Sequence, residues 1–252
     1  MENSLLISVS IFVLLFLSAL LGLWVRSRLP EHHLSDSTKE SVRIGMGSVA
    51  SMAALVLGLL IASAKGSYET EKSEVLQMAS RIICLDRTLA NYGPESQPAR
   101  ELLRRMVQVS VHRIWPESEK ALGADVPEDS WSRALPMTIQ KLSPQSDEQR
   151  AFKTQAAQVG FDLSQMRWLL YEQSESAISL PLLGIMVFWL TLTFFSVGMF
   201  APLNATVVAA QFLSALSVAG AIFLILELDK PFSGVIQISA QPMMDALLQL
   251  KI

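Results

Sequence analysis

Four stretches of about twenty apolar residues, none with a charge inside, punctuate the chain at 5–25, 44–64, 180–200 and 206–226, each long enough to cross about 30 Å of hydrocarbon as a helix. Only a helix satisfies its own backbone groups there, so the pattern predicts four transmembrane helices. Their ends are marked by polar residues: Arg26 and Arg28 after the first, Arg43 and Lys65 around the second, Glu227 and Asp229 after the fourth. Pro181 opens the third, where a missing backbone donor costs least. Residues 1–4 hold one acid and no base, so the first stretch is expected to remain as a helix instead of serving as a cleaved leader. The expected organisation is all-α. A first transmembrane pair occupies 1–64, a helical soluble domain 65–179, a second transmembrane pair 180–226 and a C-terminal segment 227–252.

Between the two pairs the period changes but stays helical. Val75, Met78, Ile82, Leu85 and Leu89 recur at steps of three and four, one stripe down a helix. No proline interrupts residues 44–91, so the second transmembrane helix is expected to run on as one long rod until Gly93-Pro94. Leu103, Met106, Val107, Val111 and Ile114 draw a second stripe after Pro98. Residues 117–130, with Gly123 and Pro127, read as a loop. Ser146 and Gln149 have the spacing of a capping box, followed by a third stripe of Phe152, Ala156, Val159, Leu163, Met166 and Leu170. Stripes of this kind are read as the inside of a helical bundle.

Within the membrane, small residues stand out. Ala50, Ala54, Gly58 and Ala62 fall at four-residue steps on the second helix, with Gly47 and Ser51 close by, a face suited to close helix contact. The opposite face carries Val49, Met52, Val56, Leu59, Leu60 and Ser63, candidates for lipid contact or for a narrow hydrophobic constriction. On the fourth helix Gln211, Ser214, Ser217 and Gly220 fall along a slanted line; a buried amide there calls for an interhelical hydrogen bond or a wet cavity. No ionisable residue lies in the middle of a span, which argues against a proton relay or a carrier of charged substrates.

The formal net charge of −3 gives no basic surplus for nucleic acid. Lys and Arg flank both sides of the spans almost equally and do not choose an orientation. A single cysteine, Cys84, excludes an internal disulfide and a cysteine metal cage, and its place by the first stripe reads as packing. Glu31-His32-His33 with Asp36 reads as a solvated loop in preference to a metal site. There is no phosphate loop, nucleophile elbow or zinc-helix motif. No catalytic residue, metal or cofactor is therefore expected.

Three stretches carry a resemblance: Gly58, Leu59, Leu60 and Ile61 running to Tyr68 and Glu74; residues 200–206, with Pro202 and Asn204; and the run containing Glu227, Asp229, Pro231, Phe232, Gly234, Ile236, Ser239 and Pro242. Together they resemble the bacterial bestrophin-like membrane family, distantly similar to the bestrophin anion channels. The resemblance implies a multi-pass protein of the bacterial inner membrane, a homo-oligomer (a pentamer in bestrophins) embedded in lipid, with the helical domain cytosolic. It implies a second-helix neck as the pore, and it gives the structural motif as Asn204, Asp229, Pro231, Phe232 and Gly234. Ser239, Ala240 and Gln241 stand where animal bestrophins have a calcium-binding acidic cluster, so calcium gating is not carried over. The second helix also lacks an aromatic neck residue. Asp229 is expected either to pair with Lys65 or Lys72 or to cap a chain reversal. The functional expectation is an oligomeric channel; the alternative is a non-conducting membrane scaffold or sensor whose helical domain binds a partner.

Overall fold

The computed structural model describes residues 2–30, 36–115, 129–172 and 180–250. Among these the regular elements are helices: α1 (Glu2–Arg26), α2 (Asp36–Tyr92), α3 (Gln97–Ile114), α4 (Asp129–Gln140), α5 (Asp147–Glu172), α6 (Leu180–Phe200), α7 (Ala205–Leu228) and α8 (Gln241–Gln249), with a 3-10 turn at Pro94–Ser96. Four of them, within α1, α2, α6 and α7, are long and apolar enough to cross a membrane. The histidine pair of the first loop and most of the loop expected over residues 117–130 lie outside the described residues.

The 57-residue α2 is the dominant element, about 85 Å long at 1.5 Å per residue. It stops where the sequence offers a breaker. Gly93 adopts φ 126, which an L side chain rarely tolerates, and Pro94 cannot continue the hydrogen-bond ladder. The chain divides into two compact units, with α2 contributing to both.

In the first unit α1 makes its closest backbone approaches to α6 and α7. Ile11, Leu15, Ala19, Met186, Leu190, Ala215, Ile222 and Ile225 form the buried core, joined by Ala53, Leu60 and Ala64 of α2. Phe12 and Phe16 stack at 6.0 Å, and Phe212 meets both edge-on at 5.2 and 5.5 Å. The α1–α6 crossing turns on two glycines. A Cβ at Gly22 would sit 2.8 Å from the Met199 backbone nitrogen, and one at Gly198 would sit 3.1 Å from the Ala19 carbonyl carbon. Backbones this close gain contact energy that lipid tails cannot supply. Serine hydroxyls in α1 are satisfied inside the helix: Ser8 donates to the Ser4 carbonyl and Ser18 to that of Leu15.

In the second unit the three stripes read from sequence turn inward. Val75, Met78, Ile82, Leu85 and Leu89 of α2 are buried, as are Leu103, Val107 and Val111 of α3 and Ala156 and Leu163 of α5. Asp86 holds Arg100 through two hydrogen bonds of 2.7 and 3.0 Å, and this carboxylate bonding raises the guanidinium above its ordinary pKa. Arg81 of α2 pairs with Asp162 of α5. The α5 start is a capping box with a displaced second bond: Ser146 Oγ accepts from the Gln149 N–H at 3.1 Å, while Gln149 Oε1 accepts from the Gln145 N–H at 2.8 Å. Gln149 Nε2 also donates to the Tyr92 carbonyl at the end of α2. Cys84 is exposed, which corrects the packing role read from the sequence; its position in α2 points away from the stripe beside it.

Candidate functional site

The uncharged part of α2 is where the structure departs most from an ordinary membrane helix. Only 11% of its most apolar window is buried within the chain, against 22–33% for the other three spans. Its packed side is Ala53, Leu60 and Ala64, with Val56, Leu57 and Ile61 half-buried beside them. The small face of Gly47, Ser51, Ala54, Gly58 and Ala62 is exposed, and no atom lies within 4 Å of a Cβ built at Gly47 or Gly58. The chain therefore does not use this face for its own helix contacts. The exposed arc continues around the helix through Leu55, Leu59 and Met52, which are 72%, 63% and 59% exposed. The set read as a constriction is thus split: Met52 and Leu59 are open, Val49 and Val56 half-buried.

The slanted line on α7 is also divided. Gln211 is buried, whereas Ser214, Ser217 and Gly220 are exposed. The interhelical bond expected for Gln211 is absent among the described residues, and Ser217 donates to the Leu213 carbonyl of its own helix. The buried stripe of α7 instead runs from Gln211 through Ala215, Ala219 and Ile222 to Leu226. Asn204 is the N-cap of α7; its side chain accepts from the Val207 N–H at 2.8 Å, satisfying one of the helix's orphan donors.

At the other end of α7 the residue that organises the turn is Glu227, which the sequence marks as the end of a span and as part of the third stretch that carries the resemblance. Its side chain is fully buried. Oε2 accepts a 2.5 Å hydrogen bond from the Val235 N–H, and Gly234, at φ 104, presses against the carboxylate so closely that an added Cβ would lie 3.1 Å from Cδ. Glycine is required there twice over, by conformation and by space. Oε1 of Glu227 has no hydrogen-bond partner. Asp229 is the C-cap of α7, its N–H donating to the Ile225 carbonyl at 3.1 Å, and Lys230 Nζ reaches Ser4 Oγ at 3.3 Å. Lys72 lies 4.0 Å from Glu69.

Within the second unit, Pro231 and Phe232 have their own anchor. The Pro231 carbonyl accepts from the Ile238 N–H at 2.7 Å, and Trp115, buried at the end of α3, donates its indole N–H to the Ile238 carbonyl at 2.8 Å. Phe232 packs edge-on against the Trp115 ring at 5.6 Å. No group of three or more metal-ligating side chains occurs among the described residues.

A bestrophin-like domain model matches residues 13–243, nearly the whole chain. The chain belongs to the bestrophin-like family. Its fold is similar to solved structures of a bacterial bestrophin homologue from Klebsiella pneumoniae. Against one point variant the TM-score is 0.69 at 14% identity, covering 98% of this chain and 97% of that one. A second variant gives 0.68 at 13%, with 96% and 97% covered. The structure phased on zinc gives 0.67 at 11%, with 96% of each chain covered. No curated protein matches the chain by sequence. At these identities the likeness speaks for the bestrophin fold, and the chain is a bestrophin-like membrane protein on the strength of its domain match and its four apolar helices.

Proposed function

We propose that this bestrophin-like chain is one subunit of an oligomeric ion channel, in which the exposed arc of α2 faces neighbouring copies and a central path. The observation that carries the reading is α2 itself: a span free of ionisable residues, left mostly bare by its own chain, with a small face (Ala54, Gly58, Ala62) beside a bulkier one (Met52, Leu55, Leu59). Small residues let backbones of adjacent subunits approach, and a ring of Met52 and Leu59 makes a hydrophobic neck of the kind that gates by wetting. Val49 and Val56 border that neck, and Gln211 and Ser214 belong to the supporting helix. Asn204 before α7 and Asp229, Pro231, Phe232 and Gly234 after it have structural roles in this reading. The protein is placed in a bacterial inner membrane with the helical domain cytosolic, five copies being the number in bestrophins, and no enzymatic reaction is assigned to it.

The test is ion flux from liposomes holding the purified protein, with chloride and with potassium, alongside the mass of the detergent-solubilised assembly. Selective flux that rises when Leu59 becomes alanine supports the channel. A folded oligomer that passes neither ion overturns it and favours a membrane scaffold acting through residues 65–179.

A further inference from the structure

The first unit contains a groove of about 600 Å³ between the start of α2 and the end of α6. Lys39, Glu40 and Arg43 line one end; Met46, Gly47 and Ala50 continue along α2, opposite Val197 and Phe200 of α6 and Ala201 just beyond it. We propose that this groove holds a single anionic phospholipid, its phosphate at Arg43 and Lys39 and an acyl chain along the α2–α6 cleft.

Three features select this occupant. The first is length. From residue 44, where the apolar stretch begins, to Ala50 the groove follows α2 for about 9 Å, within one leaflet of a hydrocarbon core of about 30 Å, so it takes part of one acyl chain and is too short for a full transmembrane helix. The second is polarity along the axis. Charge is confined to the outer end, where the two bases outnumber Glu40 and Arg43 makes no ion pair among the described residues. The inner end carries no charge: Thr193 donates its hydroxyl to the Trp189 carbonyl at 2.9 Å, and the other hydroxyl of the lining, Ser196, is buried. The third is shape. Gly47 has no neighbour within 4 Å of where its Cβ would be, and Ala50 and Ala201 add little bulk, so the floor is open to a flexible chain. Both walls belong to helices apolar enough to cross a membrane, which suits an acyl chain in the cleft.

The experiment uses the full chain in mild detergent, given equal amounts of a phosphatidylglycerol and a phosphatidylcholine with identical acyl chains, and read by native mass spectrometry. Preferential retention of phosphatidylglycerol is expected. Arg43→Gln and Lys39→Gln should each lower its occupancy by about five-fold, with phosphatidylcholine unchanged. Ala50→Trp should fill the cleft and reduce both lipids while the assembly keeps its mass. Equal retention of the two lipids overturns the proposal, as does phosphatidylglycerol binding indifferent to both charge changes. Loss of assembly mass on Ala50→Trp with lipid counts unaffected would also overturn it, assigning the groove to a second copy of the chain.

Discussion

Replacing Gly198 by alanine adds one methyl group where α6 crosses α1. That methyl would lie 3.1 Å from the Ala19 carbonyl carbon and 3.2 Å from the Leu23 backbone nitrogen, and it would overlap the Ala19 carbonyl oxygen. Favourable contact needs about 3.5–4.0 Å, and what stands in the way is backbone, which has no rotamer to change. The helices must part by about 1 Å, which forfeits a quarter to a half of each contact along the seam of Ile11, Leu15, Ala19 and Leu23. Overpacking of this sort costs about 1–3 kcal/mol, and a clash with backbone on both sides belongs at the upper end. Alanine returns about 1 kcal/mol through its better helix propensity, leaving a net loss of about 2 kcal/mol. Unfolding of the full chain in mixed micelles, followed by circular dichroism, measures this. Gly184→Ala on the same helix is the control, because no atom lies within 4 Å of its Cβ position and only the propensity gain remains. The two substitutions should move stability in opposite directions. If Gly198→Ala stabilises the protein as Gly184→Ala does, the close crossing is wrong.

Gly234→Ala should cost about 3 kcal/mol, since it strains φ 104 and displaces the Glu227 carboxylate from the Val235 N–H; faster proteolysis of the C-terminal segment is the readout, and unchanged cleavage would refute the anchor. Asp86→Ala leaves a largely buried guanidinium at Arg100 without its carboxylate and should destabilise by about 3 kcal/mol in chemical denaturation, with Asp86→Ala/Arg100→Met recovering much of the loss. Tyr92 buries a hydroxyl that has no hydrogen-bond partner, so Tyr92→Phe should be neutral or mildly stabilising in the same measurement. Burial, aided by Glu95, raises the Tyr92 phenol above its ordinary 10.0. The folded state then holds the proton more tightly than the unfolded state, so this contribution is whole below pH 10 and is lost as pH rises through the folded value; an alkaline titration should show a smaller loss in Tyr92→Phe than in the native chain.

Much of the architecture is legible from one dimension because the membrane and the helix impose periods on the sequence. Uncharged stretches locate the spans, the three-and-four spacing of Val75, Met78, Ile82, Leu85 and Leu89 gives the buried face of the long helix, and Gly93-Pro94 ends it. The Ser146 and Gln149 spacing marks the start of α5 for the same local reason. Less of the candidate site is legible. Gln211 draws attention as an amide in a span, yet its burial and the exposure of Ser214 depend on which side of α7 meets α1, a rotation that spacing does not encode. Glu227 looked like the end of a hydrophobic run. A glycine seven residues later, at an L-disfavoured φ, is the signal that could have found its role, because such a glycine implies that something presses on the backbone there.

The sequence by itself determined the elements: four long apolar helices, one continuous α2, further helices between the two apolar pairs and the family to which the chain belongs. Tertiary structure decided the partners. It set α1 against α6 and α7 through Gly22 and Gly198, turned the small face of α2 outward, and folded residues 234–236 onto Glu227. The physical reason is that hydrophobicity in a bilayer fixes where a helix lies but is nearly indifferent to which neighbour it meets. That choice rests on close packing and on single buried polar groups, and both become visible only when the backbones are side by side.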